Sequence, residues 1–401
     1  MLCGMAATSK KKRGIPGWLI LVGSMTALGP VSIDMYLPGF PLIERQLGQS
    51  GVESTMAAFL IGLAAGQLFY GPVSDRFGRK PPLYVGFVLY ILGSLGCALA
   101  ASMPMLVAMR TTQALGACAS LVIGRAVVRD RCEPHEAARA FTTLMLIVAL
   151  GPVLAPLLGG AVVTWLGWRA VFVFQALLGL VLLGAMHWVL TESRDPAHVV
   201  PLRLGRVLAS YAGLLRDRSF LGYSLISGCG MGALFCYVTG APIVLTNLYG
   251  VTPQEFGLLI ALNGLAFMTA SRANIVALRR RGPGEILQRA IWQPTVVSAT
   301  LLGANLLFDV PLWLVVVLQF AFFISVARLN PNVATLALVR HGHQAGNASA
   351  LMGALQSLVS TLGGVAVAAF TDGTFGPLAL MMTAGAAASW ALYGWVAARG
   401  A

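Results

Sequence analysis

Apolar stretches of about 20 residues recur along the whole chain, and they constrain its fold more than any other feature. A helix needs about 20 largely apolar residues to cross a bilayer. Only 10% of the 401 residues are charged, against about 25% in a typical soluble domain, which excludes an ordinary soluble protein. The sequence therefore predicts an all-α membrane protein with twelve spans, at 16–40, 54–74, 82–101, 105–127, 140–164, 169–190, 220–246, 255–277, 289–308, 311–335, 346–370 and 376–397.

The basic residues predict how these spans are oriented. Of the 27 lysines and arginines, 24 fall on the side of the predicted topology that carries the N-terminus. The opposite side has only Arg45 and Arg169, and Arg110 lies within span 4. Because cytoplasmic loops carry an excess of Lys and Arg, we predict a multi-pass inner-membrane protein with both termini in the cytoplasm. The same pattern explains the net charge of +13 without a nucleic-acid partner.

A polar segment divides the spans into two groups of six. We predict an N-terminal tail (1–15), a first six-helix bundle (16–190), a cytoplasmic linker (191–219) and a second six-helix bundle (220–397). Apolar residues within 202–217 recur at helical spacing, which predicts an amphipathic helix in the linker. Two halves of six spans predict a binding site between them, near the bilayer midplane.

The loop between spans 2 and 3, GPVSDRFGRKPPL at 71–83, resembles the signature loop of the major facilitator superfamily. The resemblance implies two pseudo-symmetric six-helix bundles and a latch that holds the cytoplasmic side closed in one state. We expect its glycines to allow close helix approach and a tight turn, and Asp75 to accept bonds from a helix N-terminus or an arginine. A generic basic loop is the alternative. The matching residues are Gly71, Asp75, Arg76, Gly78, Arg79 and Lys80.

Two further motifs lie within spans 4 and 5. The pattern of Arg110, Gln113 and Gly116 resembles the family's span-4 motif, although Arg110 snorkelling to the membrane surface is an alternative. ALGPVLAPLLGGAVV at 149–163 resembles the antiporter motif of drug-exporting members, which favours an exporter. Its prolines are expected to bend the helix and its glycines to allow close packing. The matching residues are Gly151, Pro152, Pro156, Gly159 and Gly160.

Three other segments narrow the resemblance to the Bcr/CflA group of drug-resistance transporters. They are SIDMYLPGFP at the end of span 1, residues 240–263 and HQAGNASALMGALQ at 343–356. This resemblance implies a monomeric, proton-coupled antiporter that exports drugs or amphiphilic small molecules by alternating access. Its partners are then the small-molecule substrate, protons and the lipid bilayer. The alternative is a transporter of the same fold, exporter or importer, for a physiological solute such as an amino acid, peptide or sugar.

Asp34 is the only acidic residue that the topology places well inside a span. It lies six residues before Phe40, and Arg110 lies six residues after Pro104, so each is about 9 Å from the periplasmic end of its span. We predict that the two are counter-ions, directly or through water, and that Asp34 exchanges a proton during transport. The alternatives are a structural ion pair that locks spans 1 and 4, or an idle carboxylate in a water-filled mouth.

Substrate contacts are predicted from polar, aromatic and Met side chains within spans, since drug pockets are mostly apolar with few polar groups. Plain helix packing explains each of these residues equally well. The sequence shows no catalytic constellation, metal-ligand spacing or nucleotide-binding loop, so we predict a protein that is not an enzyme and has no cofactor or metal. The candidate substrate contacts are Tyr36, Gln113, Met145, Phe235, Tyr237, Asn263 and Gln356.

Overall fold

The computed structural model describes residues 15–193, 204–370 and 374–400, and within these ranges the chain is helical without any strand. Nearly all of the predicted N-terminal tail lies outside them. The helices of the first half are Gly17–Thr26, Leu28–Asp34, Phe40–Leu47, Glu53–Phe77, Lys80–Ala98, Met103–Arg131, Pro134–Ala149, Gly151–Leu166 and Trp168–Val189. Those of the second half are Arg218–Tyr249, Pro253–Ala277, Pro283–Ala290, Gln293–Leu307, Leu312–Leu338, Ala345–Phe370 and Phe375–Gly400, and Leu204–Arg216 lies between the halves.

Eleven helical segments of the described chain are long and apolar enough to cross a membrane. Predicted span 9 is the exception, because Pro283–Ala290 and Gln293–Leu307 are separate helices and the second has only 15 residues. At about 1.5 Å per residue it is about 22 Å long. With this crossing the described residues contain twelve membrane crossings, the number that the hydropathy pattern predicted, which confirms the fold class.

The first span is longer than its apolar stretch. We expected it to end at Phe40, but a 3-10 turn at Leu37–Gly39 leads into a further helix, Phe40–Leu47. This helix is amphipathic, with Ile43 buried and Arg45 exposed. Hydropathy alone ends the span too early, because the apolar run stops where one face of the helix becomes polar.

The two bundles pack against each other through spans 2 and 11 and through spans 5 and 8. We call the end that carries residues 78–79 and the helix Leu204–Arg216 the linker face, and the opposite end the far face. At the far face, the segment Leu37–Gly39 of span 1 contacts spans 7 and 8 of the second bundle. The far face is therefore closed by contacts between the bundles.

The linker helix, Leu204–Arg216, joins the two bundles through specific hydrogen bonds. The Ser210 hydroxyl donates to Gln344 Oε1 (2.9 Å) at the linker-face end of the second bundle. The Tyr211 hydroxyl donates to the backbone carbonyl of Leu68 in span 2 (3.1 Å). In a regular helix that carbonyl accepts the N–H of residue 72, but Pro72 has no N–H. The Tyr211 hydroxyl therefore donates to the Leu68 carbonyl in place of the N–H that Pro72 lacks.

We expect Tyr211→Phe to reduce the population of the conformation described here, because it removes a hydrogen bond between the linker helix and span 2. A bond of this kind contributes about 0.5–1.5 kcal/mol, so the equilibrium should shift by about 2- to 13-fold. The measurement is the distance distribution between spin labels at the exposed positions Phe77 and Arg340, in a background without native cysteines. Tyr223→Phe is the control, since the Tyr223 hydroxyl makes no hydrogen bond among the described residues. Equal distributions for wild type and Tyr211→Phe would contradict this role.

Candidate functional site

Arg110 lies at the centre of the first bundle and is completely buried. Its guanidinium is sandwiched between the rings of Tyr36 and Phe59, with its central carbon 4.0 and 4.2 Å from the two ring centres. Nη1 donates to the backbone carbonyl of Ser32 in span 1 (3.1 Å) and to Gln113 Oε1 (2.6 Å). Arg110 does not snorkel to the surface, because aromatic faces and buried acceptors hold its charge within the bundle.

A buried network extends from Arg110 to two further spans. The Gln113 amide donates to Ser94 Oγ (2.8 Å) in span 3 and to Gln175 Oε1 (2.7 Å) in span 6. The hydroxyls of Ser32 and Tyr90 are 2.8 Å apart and join span 1 to span 3. Together with Arg110, these side chains connect spans 1, 3, 4 and 6. Sequence reasoning missed Ser94, Gln175 and Tyr90, although isolated polar groups within apolar spans are a detectable signal.

Asp34 ends the helix Leu28–Asp34 and is 8% exposed. It does not form the direct ion pair with Arg110 that we considered, because no carboxylate oxygen lies within 4.0 Å of a guanidinium nitrogen. The carbonyl of Ser32, two residues earlier on the same span, takes the bond instead. The predicted similarity in depth nevertheless holds, since Arg110 reaches the backbone beside Asp34.

Two nitrogen atoms of the Arg110 guanidinium remain without an acceptor. Nε and Nη2 are both buried and make no hydrogen bond to the described residues. Buried donors are nearly always satisfied, and an orphaned donor on a charged group is costly. The centre of the first bundle therefore contains a buried carboxyl group and, from a neighbouring helix, a cation with unused donors.

The antiporter-motif residues form a close contact surface on span 5. A side chain at Gly159 would overlap the backbone carbonyl of Met35 in span 1, and one at Gly160 would lie 2.6 Å from the carbonyl of Pro253 in span 8. A side chain at Gly264 of span 8 would likewise lie 2.6 Å from the carbonyl oxygen of Pro152. That carbonyl lacks its usual helical donor because residue 156 is proline. Gly151 and Pro156 belong to the same surface, where they face Pro30 and Gly257 respectively.

The 2–3 loop forms a charged cluster around Arg79. Its guanidinium binds Asp75 Oδ1 (2.8 Å), Ser74 Oγ (2.8 Å) and Asp130 Oδ2 at the end of span 4 (2.7 Å). Burial opposes the charge of Arg79, but the hydrogen bonds to Asp130 and Asp75 outweigh it and raise its pKa. Of the two partners that we expected for Asp75, the structure shows the arginine.

Glu192, which sequence reasoning missed, caps span 3 beside this cluster. Its carboxylate accepts the backbone N–H groups of Arg79 (2.9 Å) and Lys80 (3.0 Å). Gly78 has a φ of 88° and its Cα faces this carboxylate, so the turn needs glycine for conformation and for space. Gly71 does not mediate the close approach that we expected, since a side chain there would meet no atom within 4 Å.

We expect Asp130→Asn to destabilise the protein more than Asp75→Asn does, although both neutralise a partner of Arg79. The Asp130 side chain is 17% exposed and that of Asp75 is 47% exposed. A well-shielded hydrogen bond between charged groups contributes about 1.5–3 kcal/mol, whereas an exposed pair contributes about 0–1 kcal/mol. Thermal unfolding of the purified protein in detergent measures the difference. A lower melting temperature for Asp75→Asn than for Asp130→Asn would reverse the order and contradict this account.

The predicted substrate contacts separate into two groups. Tyr36 and Gln113 are buried within the first bundle, where the Tyr36 hydroxyl binds Thr55 Oγ1 (3.0 Å) and Gln113 belongs to the Arg110 network. In this structure they serve helix packing. The others are Met145, which is exposed, Tyr237 and Asn263, which are buried, and Phe235 and Gln356, which are half-buried.

Gln356 belongs to a polar cluster of the second bundle that sequence reasoning missed. Its amide lies 3.4 Å from Asn330 Oδ1, which also accepts a bond from the Ser227 hydroxyl at 2.6 Å. Nearby, Gln67 of span 2 donates to Ser357 of span 11 across the bundles (3.2 Å). Among the described residues, no three His, Cys, Asp or Glu side chains form a group that holds a metal ion.

The family model of the Major Facilitator Superfamily matches residues 22–364. The chain belongs to the major facilitator superfamily. Two solved transporter structures of low sequence identity show the same fold. The crystal structure of a bacterial homologue of the human lysosomal transporter spinster, in an inward-facing and occupied conformation, aligns with a TM-score of 0.72 at 16% identity, over 95% of this chain and 96% of that one. The D-xylose–proton symporter aligns with a TM-score of 0.68 at 18% identity, over 93% and 94% of the two chains.

Members of the superfamily that share more sequence with this chain include drug-resistance proteins. The chain is 37% identical over 350 residues to the "uncharacterized MFS-type transporter YdgK" of Bacillus subtilis, covering 85% and 86% of the two chains. It is 30% identical to the bicyclomycin resistance protein homologue of Haemophilus influenzae, over 92% of each chain. It is 31% identical to the chloramphenicol resistance protein of Pseudomonas aeruginosa, over 86% and 84%. These relatives confirm the resemblance to the Bcr/CflA group.

Proposed function

We propose that the chain is a proton-driven antiporter that exports amphiphilic small molecules, including drugs, with its linker face in the cytoplasm of a bacterial cell. The excess of Lys and Arg on the linker face supports this orientation. The names of the bicyclomycin and chloramphenicol resistance relatives support drug export. The observation that carries proton coupling is the buried Asp34 carboxyl group on span 1, two residues after the Ser32 carbonyl that binds Arg110, whose Nε and Nη2 make no hydrogen bond to the described residues.

The environment of Asp34 favours different protonation states in different conformations. In the present structure the carboxyl group is buried without an ion-pair partner and sits at a helix C-terminus, whose dipole opposes negative charge. Both features favour the protonated form. Arg110 Nε and Nη2 make no hydrogen bond to the described residues, so a conformation that brings the Asp34 carboxylate to these donors would stabilise the deprotonated form.

This difference in protonation between conformations couples proton movement to substrate transport. With the far face open to the periplasm, Asp34 takes up a proton, and closure of that face carries the neutral carboxyl group inward. Substrate that enters from the cytoplasm favours the deprotonated form, and the proton leaves to the cytoplasm. The tight contact of Gly160 with Pro253 of span 8 helps to close the far face in the conformation described here, which alternating access requires in one of its states.

The test uses purified protein in liposomes that hold a pH gradient. Added chloramphenicol should release protons down the gradient and accumulate against its own concentration gradient. Amino acids, a dipeptide and xylose, added separately, test the alternative of a physiological solute. Chloramphenicol that crosses without proton movement would contradict antiport. Proton movement with one of the solutes but with no drug would establish the alternative function.

A further inference from the structure

Arg125 is a second arginine within span 4, and the Asp34 mechanism does not use it. It lies in the continuous helix Met103–Arg131, 15 residues after Arg110 and six before the linker-face end. These separations correspond to about 22 Å and 9 Å along the helix. Its side chain is exposed, as is that of Arg129. Neither guanidinium makes a hydrogen bond or ion pair with the described residues.

The face of span 4 that carries Arg125 looks into the space between the bundles. On this face Cys118 packs against Gly66 of span 2, the span that itself packs against span 11 of the second bundle. At 100° per residue, Arg125 and Arg129 lie within about 20° of Cys118 around the helix axis. The Arg129 guanidinium approaches Gly346 of span 11, with Nη1 3.9 Å from the position of a side chain there. Arg125 therefore faces the second bundle rather than the surrounding lipid.

This part of the inter-bundle space is positively charged. The acidic residue nearest to Arg125 along span 4 is Asp130, whose carboxylate is bound to Arg79. The helix Ala345–Phe370 begins opposite Arg129, and a helix N-terminus adds positive potential. An arginine within a membrane span is costly unless water or an anion compensates it, and such a residue commonly marks a substrate pathway.

We propose that Arg125 selects amphiphilic anions, binding the carboxylate, sulfonate or phosphate group of a substrate whose apolar part occupies the space between the bundles. The inference rests on the proposed export function and names its substrate class. A guanidinium binds such groups through two parallel hydrogen bonds. Arg129, nearer to the linker face, attracts the anion toward this position.

The test compares two fluorescent probes that differ only in charge, 11-(dansylamino)undecanoic acid and its primary amide. Dansyl fluorescence reports binding to the purified full chain in detergent. We expect wild type to bind the acid about 10- to 100-fold more tightly than the amide, and Arg125→Gln to lose this preference while it binds the amide unchanged. Arg125→Lys should retain part of the preference. The control is Arg45→Gln, an exposed arginine at the far face, which should bind both probes as wild type does.

Two results would overturn the proposal. Equal affinity of wild type for acid and amide would remove the anion selectivity. Equal weakening of both probes by Arg125→Gln would show that Arg125 serves the structure of the bundle. Failure of the export function has a different signature: the acid binds through Arg125, yet no compound exchanges with protons in liposomes. If neutral drugs exchange with protons and the acid does not bind, only the anion proposal fails.

Discussion

Arg110→Leu is expected to abolish transport and to destabilise the protein, by about 1–3 kcal/mol for each buried acceptor that loses its donor. Leucine leaves Gln113 Oε1 and the Ser32 carbonyl without their donor, and it removes the cation between the rings of Tyr36 and Phe59. Spans 1 and 4 then lose the bond that connects them beside Asp34. Thermal unfolding in detergent and chloramphenicol-driven proton release in liposomes measure the two effects.

Arg110→Lys tests whether a positive charge without the guanidinium geometry is sufficient. Lysine keeps the cation but lacks the planar fork that binds two acceptors and stacks on both rings. We expect it to restore part of the stability and little of the transport. Arg45→Gln, at the exposed far face, should change neither. Normal proton exchange by Arg110→Leu would show that the network is not needed for coupling.

Asp34→Asn is expected to abolish proton-driven accumulation while it still permits substrate exchange at high substrate concentration. Asparagine has nearly the shape of a protonated aspartate and cannot release a proton, so it holds the site in its neutral form. In liposomes, the variant should exchange labelled for unlabelled chloramphenicol with a weaker apparent affinity than wild type, because substrate favours the deprotonated form that asparagine cannot adopt. It should show no uphill accumulation when a pH gradient is imposed.

The control for this variant is Glu53→Gln. Glu53 is also a buried carboxyl group, 4% exposed, but it lies at the far-face end of span 2. Glu53→Gln should accumulate chloramphenicol as wild type does. Full accumulation by Asp34→Asn would show that another group carries the proton, and its loss in Glu53→Gln alone would assign coupling to Glu53.

The fold follows from the sequence because the bilayer imposes a simple rule on length and polarity. Each crossing needs a long apolar helix, and twelve such stretches are visible in the sequence. The predicted span boundaries are wrong where the length of an apolar stretch does not match the length of the helix. Span 1 continues to Leu47 as an amphipathic helix, and span 9 is interrupted before Gln293, where continuous hydropathy conceals a break in the backbone.

The sequence predicted how deep the site residues lie along their spans, but not which atoms they contact. Counting residues along spans 1 and 4 placed Asp34 and Arg110 at one level, since helices have a fixed rise. The acceptors that Arg110 binds depend on the rotation of both helices about their axes and on the aromatic rings around the guanidinium. Both are properties of the packed bundle. The partners Gln175 and Ser94 stand singly in apolar spans, where the sequence does not distinguish a network from isolated packing residues.

Proton release on substrate binding tests the central claim most directly. Purified protein in detergent and weak buffer is mixed with chloramphenicol while a pH indicator follows the protons released. The account predicts about one proton released per substrate bound by wild type, and none by Asp34→Asn at equal substrate occupancy. Equal proton release by wild type and Asp34→Asn would contradict the claim that substrate displaces a proton from Asp34.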